Sequence, residues 1–144
     1  MMNLISRFAL PIVVLAILVL LVRNSLLSSS PFVIAAQLLA VALSVWARAS
    51  FGTGQFRVTA EPSEGGLLNR GPYRIIRHPM YAAAMLFIWA SILGHWSLVN
   101  AIIGLAVTGV TAIRIVKEEQ VLRQRYPEYS EYSRNTKQVI PYLL

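Results

Sequence analysis

Four long apolar stretches constrain the fold of this chain more than any other feature of its sequence. They cover residues 4–22, 32–47, 80–93 and 98–116, and each approaches the roughly 20 residues that an α-helix needs to cross a bilayer. The second and third reach that length only with flanks such as Trp46 and Trp96, whose side chains suit the headgroup region. The pattern therefore predicts an all-α integral membrane protein with about four transmembrane helices.

Short turns join these predicted helices in pairs. Three serines and Pro31 separate the first two stretches, and the sequence Gly-His-Trp-Ser at 94–97 separates the last two. The first stretch could instead be a signal peptide, because Arg7 precedes an apolar run and the serines offer small residues for cleavage. That run is long for a signal peptide and nothing downstream resembles a secreted domain, so we favour a retained helix.

The composition fits a membrane protein of one domain. Of the 144 residues, 56% are hydrophobic and 13% are charged, whereas soluble domains carry about 25% charged residues. We expect a single membrane domain over 1–144, with a two-helix N-terminal hairpin at 1–49 and a functional core at 50–144. The chain has no cysteine, which excludes disulfides, thiolate catalysis and cysteine-based metal sites.

The basic residues predict the orientation. Threading four helices leaves only Arg23 on one side, while the other side holds Arg7, five arginines within 48–77 and six Lys or Arg from residue 114 onward. The positive-inside rule makes this crowded side cytoplasmic, with both termini on it. All six glutamates lie there too, so the opposite end is expected to be poor in polar chemistry. The net charge of +7 suits an anionic leaflet better than nucleic acid.

A loop rich in Gly and Pro leads into the third helix through a dense motif. It reads Gly71-Pro72-Tyr73-Arg74-Ile75-Ile76-Arg77-His78-Pro79-Met80-Tyr81. Pro79 is expected in the first turn of the helix, where the free N–H groups and the positive end of the dipole attract carboxylates. We therefore expect an anionic part of a cofactor to bind there. The alternative is that Arg74, Arg77 and His78 only anchor the chain at the interface.

A second polar cluster follows the apolar part of the fourth helix. Arg114 and Glu118 are four residues apart and so share a helical face, and Lys117 and Glu119 lie beside them. An ordinary ion pair would explain the first two residues. An Arg at membrane depth is nevertheless costly enough to suggest a functional role. The sequence leaves both interpretations open.

The C-terminal segment is predicted to form an amphipathic helical tail. Pro127 ends one helix and can begin another, after which Tyr129 and Tyr132 fall on one stripe. Such a stripe suits a membrane surface and could also hold an adenine.

Three weaker patterns do not indicate a functional site. The run Gly52-Thr53-Gly54 lacks the third glycine of a dinucleotide-binding loop. His95 stands alone on the side that is poor in charge, so no metal site is expected. Gly104 and Thr108 form a small-residue pair that is typical of helix packing.

In combination, the stronger motifs resemble the isoprenylcysteine carboxyl methyltransferase and phospholipid methyltransferase superfamily. The resemblance rests on residues 71–81 and 118–122, then Tyr129-x-x-Tyr132 and Ile140-Pro141, and it covers residues 50–144. Order and spacing agree over two helices and a tail, while the first two helices contribute almost nothing. Ala83 is a departure, because the family usually has Gly at this position.

The resemblance implies a helical membrane enzyme that binds S-adenosylmethionine between the His-Pro loop and the C-terminal tail. Carried over by position, the cofactor contacts would be Gly65, Gly66, Leu67, Leu68, Tyr73, His78, Pro79, Met80, Tyr81 and Glu118. Glu118 would hold the adenosine or amino group, and Arg114 would bind the substrate as a catalytic residue. The expected partners are the lipid bilayer and a lipid-like or prenylated acceptor.

Methyl transfer from a sulfonium is an in-line displacement, so such a site mainly aligns donor and acceptor and excludes water. Arg114 could orient a carboxylate acceptor, whereas an amine acceptor would need a proton acceptor, for which Glu119 and His78 are candidates. An NADPH-dependent reductase with a related helical core is the alternative enzyme, and basic residues of the loop could bind its additional phosphates. A non-catalytic membrane scaffold is the third hypothesis.

Overall fold

The computed structural model describes residues 4–50 and 67–140, with side chains from residue 8 onward. Within these residues the chain forms helices and no strand: α1 Leu4–Val22, α2 Pro31–Ala49, α3 Pro79–Gly94, α4 Leu98–Arg125 and α5 Tyr129–Asn135. A 3-10 helix, Gly71–Arg74, precedes α3. The predicted all-α fold is confirmed for this part of the chain.

Proline and serine set the starts of three helices. Pro31 and Pro79 lie in the first turns of α2 and α3, where the missing N–H has no intrahelical acceptor to lose. The Ser97 hydroxyl accepts a hydrogen bond from the Asn100 backbone N–H at 3.1 Å and caps α4. These helix starts agree with the turns expected from the sequence.

Two of the apolar helices, α2 and α4, are long and apolar enough to cross a membrane. Helix α3 has 16 residues, and the part of α1 whose side chains are described, Phe8–Val22, is of similar length. Length and composition therefore support two crossings directly, rather than the four predicted. Helix α4 continues beyond the apolar stretch at 98–116, because helix formers such as Lys117, Gln120 and Leu122 follow it. It ends at Arg125, just before Pro127, as predicted.

The packing pairs each N-terminal helix with a different partner. Helix α2 packs most extensively on α3, and α1 packs on α4. The core among α1, α3 and α4 contains Ala16, Leu20, Ile88, Ile92 and Val107. Packing of these apolar side chains places α3 and α4 side by side. The start of α3 therefore lies next to the C-terminal part of α4, where the polar residues of both helices are found.

Gly104 and Thr108 bring α4 close to α3. A Cβ at Gly104 would lie 2.6 Å from Ile92 Cδ1 and 3.1 Å from Trp89. Trp89 Nε1 donates to Thr108 Oγ1 at 3.1 Å, and the Thr108 hydroxyl donates to the Gly104 carbonyl at 2.7 Å. The predicted packing role of this small-residue pair is confirmed.

The end of the bundle that was expected to be poor in polar chemistry contains a hydrogen-bond network. Arg23 Nε donates to Asn100 Oδ1 at 3.0 Å, and Asn100 Nδ2 donates to the His95 carbonyl at 2.7 Å. Between α2 and α3, Gln37 Nε2 donates to Ser91 Oγ at 3.0 Å. The expectation of an end poor in polar chemistry was therefore wrong. It was based on charged residues alone, whereas most groups in this network are uncharged side chains and backbone carbonyls.

Candidate active site

The motif before α3 turns sharply against the rest of the chain. Gly71 has φ of +58°, which favours glycine, and a Cβ there would collide with the Ser50 hydroxyl. Tyr73 is buried, and the Tyr132 hydroxyl donates to the Tyr73 carbonyl at 2.6 Å. The turn thus places the start of α3 against the C-terminal segment.

His78 forms the N-cap of α3 and lies between two carboxylates of α4. Its Nδ1 is 3.7 Å from Glu118 Oε2, and its Nε2 is 3.3 Å from Glu119 Oε1. The His78 side chain is only 5% exposed, and its ring stacks on Tyr81 with 5.7 Å between ring centroids. Two consecutive glutamates therefore hold one imidazole from both sides.

Glu118 joins α3 to α4 through a buried charge cluster. Its Oε1 accepts hydrogen bonds from the Tyr81 hydroxyl at 2.5 Å and from Arg114 Nε at 2.9 Å. The Arg114 guanidinium also lies 5.6 Å from the Tyr81 ring centroid. The Arg114 side chain is 8% exposed, so Glu118 balances a charge that would be costly at this depth. The predicted contact within α4 is confirmed, with Tyr81 as a third member.

Glu119 connects the same helix to the C-terminal segment through Arg77. Arg77 Nε donates to Glu119 Oε1 at 2.9 Å, and its Nη1 donates to the carbonyls of Ser133 at 2.7 Å and Thr136 at 2.5 Å. Arg123 Nη2 lies 3.6 Å from Glu119 Oε2. Glu119 thus contacts the guanidinium groups of two arginines, one before α3 and one on α4.

Backbone hydrogen bonds join the motif to the C-terminal segment. The Arg77 N–H donates to the Lys137 carbonyl at 2.7 Å, and the His78 N–H donates to the Gln138 carbonyl at 3.1 Å. In return, the Lys137 N–H donates to the Ile75 carbonyl at 2.9 Å. Residues 75–78 and 137–138 thus pair side by side in a parallel sense, as an isolated bridge.

Three tyrosines around this junction keep their protons at neutral pH. Burial raises the pKa of Tyr132 to about 12. Burial also raises the pKa of Tyr73, to which Tyr132 and Glu118 add. Burial, followed by the charge of Glu119, raises the pKa of Tyr129. All three hydroxyls therefore remain neutral, and that of Tyr132 donates to the Tyr73 carbonyl.

The structure brings five of the predicted site residues into contact: His78, Tyr81, Arg114, Glu118 and Glu119. Tyr73 joins them through the C-terminal segment. Pro79 and Met80 form the first turn of α3 beside the cluster, whereas Leu67 and Leu68 are half-buried in an irregular segment before the 3-10 helix. Gly65 and Gly66 lie outside the described residues.

The interpretation of the basic motif residues as interfacial anchors fits only one of them. Arg74 is exposed, while His78 is buried against glutamates and the Arg77 side chain is 11% exposed. From the sequence, Arg77 is predicted only as a possible anchor, although its position next to His78 is a usable signal. No sequence signal marks the carbonyls of Ser133 and Thr136 as its acceptors, because every residue has a backbone carbonyl.

An open groove runs beside the start of α3. It has a volume of about 490 Å³, and Met80 faces residues of α2 across it. The lining residues are Ser44, Val45, Arg48, Ala49 and Met80. Among residues 4–50 and 67–140, no three His, Asp or Glu side chains are grouped so as to hold a metal ion.

A sequence profile of the phospholipid methyltransferase family matches residues 27–129. This range covers more than half of the chain and includes the whole cluster between α3 and α4. The chain belongs to the phospholipid methyltransferase family. With two helices able to cross a membrane, this family member is a membrane protein, and the family implies methyltransferase activity.

This phospholipid methyltransferase family member is also similar to the cobalt-zinc-cadmium resistance protein CzcN of Cupriavidus metallidurans. The two are 34% identical over 85 residues, which cover 54% of this chain and 36% of the relative. The chain therefore spans about a third of the length of the curated relative that it matches.

Proposed function

We propose that the chain is an S-adenosylmethionine-dependent methyltransferase that acts on a lipid-like acceptor at the cytoplasmic face of the membrane. The observation that carries this proposal is the convergence of Tyr81, Arg114 and His78 on Glu118, in a member of a methyltransferase family. This convergence unites the polar ends of α3 and α4 into one buried cluster. A cluster of this kind costs stability to assemble, so a role beyond packing is expected.

The residues present fit the chemical groups of S-adenosylmethionine. The first N–H groups of α3 have no acceptor within the helix, and a helix N-terminus favours a carboxylate. Glu118 suits an ammonium or ribose hydroxyls. The stacked rings of His78 and Tyr81 offer a flat apolar wall beside these polar groups.

The chain's own residues would then position the two reactants. When bound, S-adenosylmethionine supplies an electrophilic methyl group for in-line displacement. Arg114 lies one helical turn before Glu118 on α4, on the side of the apolar stretch, and would orient an anionic acceptor. For an amine acceptor, Glu119 and His78, which contact each other in the cluster, are the candidates for taking the proton.

The groove between α2 and α3 supports a lipid-like acceptor. Val45 and Ala49 offer an apolar wall, and Arg48 adds positive charge at the end of the helix. The groove reaches Met80 in the first turn of α3, next to the cluster. An acceptor with an apolar chain could therefore approach from the bilayer without crossing water.

The distribution of basic residues supports a multi-pass arrangement with both termini and the cluster on the cytoplasmic side. In this arrangement α1 and α3 also cross the bilayer. Their flanks, such as Trp96, would lie in the headgroup region.

Calorimetric titration of the purified protein in detergent tests the proposed cofactor. We expect binding of S-adenosylhomocysteine and no binding of NADPH. Binding of NADPH alone would instead favour a reductase, and binding of neither ligand by folded protein would favour a scaffold. A methyl-transfer assay with radiolabelled donor and a membrane lipid extract then tests the acceptor class.

A further inference from the structure

One guanidinium group connects three parts of the chain that lie far apart in sequence. Arg77 precedes α3, its Nε binds Glu119 on α4, and its Nη1 binds two carbonyls of the C-terminal segment, those of Ser133 and Thr136. The Arg77 and Glu119 side chains are 11% and 9% exposed. Water is therefore a poor substitute for any partner that is removed.

The same junction fixes His78. Its backbone N–H donates to the Gln138 carbonyl, and its Nε2 faces the Glu119 oxygen that also accepts from Arg77. A shift of residues 133–138 would therefore move both supports of His78 together. The other imidazole nitrogen faces Glu118, so such a shift would also reach the residue proposed to hold the cofactor.

We propose that Arg77 is a positioning residue for cofactor binding, because it fastens residues 133–138 to Glu119 and so holds His78 against Glu118. This inference rests on the proposed function. It adds a role to a residue outside the predicted cofactor contacts. Arg77 acts through Glu119 and His78 and does not itself touch the cofactor.

A positioning role for Arg77 couples cofactor binding to docking of the C-terminal segment, which a purely structural role does not. If docking of the C-terminal segment strengthens cofactor binding, then cofactor binding must stabilise docking by the same factor. The three backbone hydrogen bonds donated by Arg77, His78 and Lys137 report that docking directly. Their amides should exchange hydrogen more slowly when the cofactor product is bound.

The experiment measures S-adenosylhomocysteine affinity and hydrogen exchange in the same purified full-length samples in detergent. We expect Arg77→Gln to weaken binding by roughly tenfold or more, the loss typical of a charge-assisted hydrogen bond. In the wild type, saturating ligand should slow exchange in peptides covering 74–80 and 133–139, and this effect should vanish in the variant. Arg74→Gln is the matched control, because it removes an exposed charge from the same segment, and its affinity should stay within about twofold of wild type.

Two further variants decide the outcome if Arg77→Gln does not fold. Arg77→Lys keeps the charge and loses the forked geometry, and Glu119→Gln keeps an acceptor and loses the charge. Both should show weaker binding and faster exchange of residues 133–139. Wild-type affinity and exchange in both variants would overturn the proposal.

Each remaining result separates this inference from the proposed function. A folded Arg77→Gln protein with affinity within about twofold of wild type would overturn the positioning role. Equal exchange of residues 133–139 in wild type and variant, without any ligand, would overturn the fastening itself. Wild-type protein that binds no S-adenosylhomocysteine would overturn the proposed function and with it the role in cofactor binding.

Discussion

The Tyr81 hydroxyl donates a hydrogen bond of 2.5 Å to Oε1 of Glu118. These residues are 37 positions apart in the sequence and lie in the first turn of α3 and near the end of α4. Their contact joins the motif at residues 71–81 to the polar cluster of α4. Since the Arg114 Nε binds the same oxygen, removing Glu118 would leave a buried guanidinium and a buried phenol without their acceptor.

Glu118→Ala and His78→Ala should each weaken binding of S-adenosylmethionine far more than His95→Ala. Loss of a charge-assisted hydrogen bond to the cofactor should cost about 1.5 to 3 kcal/mol, or roughly ten to a hundredfold in affinity. His95 is the matched control, because it lies at the other end of the bundle. Calorimetric titration checks this prediction, and equal affinities in all three folded variants would refute the site.

Arg114→Gln should separate the acceptor from the cofactor. If Arg114 orients the acceptor, the variant should keep cofactor affinity within a few-fold of wild type and lose roughly a hundredfold or more in turnover. If Arg114 only pairs with Glu118, cofactor affinity should fall as well. Cofactor titration beside a radiolabelled methyl-transfer assay distinguishes the two, provided that the variant is monodisperse in detergent.

Much of the fold could be predicted because its causes are local. The helical conformation of the apolar runs, the start of α3 at Pro79 and the contact of Arg114 with Glu118 all depend on residues close in sequence, and the structure agrees with each. Only two of the four runs are supported as membrane crossings. The contacts of Arg77 could not be predicted in this way, because two of its three acceptors are backbone carbonyls. The pairing of Arg23 with Asn100 was equally hidden, since 77 positions separate them.

A reporter fused after Leu144 should read as cytoplasmic, and one inserted in the turn at 28–30 should read as external. The reason is the concentration of basic residues on the predicted inner side. Together, the two reporters test orientation and whether the chain crosses the membrane an odd number of times after residue 30. An external reading after Leu144 would contradict the proposed orientation.

Gly104→Ala should destabilise the helix bundle by about 1 to 3 kcal/mol, the usual cost of overpacking. The added methyl would press on Ile92 and on Trp89, whose indole is held by Thr108. Gly109→Ala is the control, because a Cβ there has nothing within 4 Å, and it should be neutral or stabilising by up to about 1 kcal/mol. Thermal unfolding in one detergent compares them, and equal losses would argue against close packing at Gly104.

Tyr132→Phe should destabilise the C-terminal segment by about 1 to 3 kcal/mol, because it leaves the buried Tyr73 carbonyl without its donor. The folded state raises the pKa of Tyr132 from 10.0 to about 12. Its contribution is therefore fully present below pH 10 and is lost as the pH rises through 12. Unfolding measured from pH 7 to 12 should show a smaller alkaline loss in the variant, and identical profiles would contradict this assignment.

The pairing of α1 with α4 and of α2 with α3 bears on how the chain assembles in a bilayer. Helices α1 and α2 make few contacts with each other, although only a short turn connects them. Hydrocarbon gives two apolar helices little reason to associate, so packing must come from fitted surfaces. In the proposed multi-pass arrangement, α1 and α2 therefore gain most of their packing from α4 and α3, which follow them in the chain.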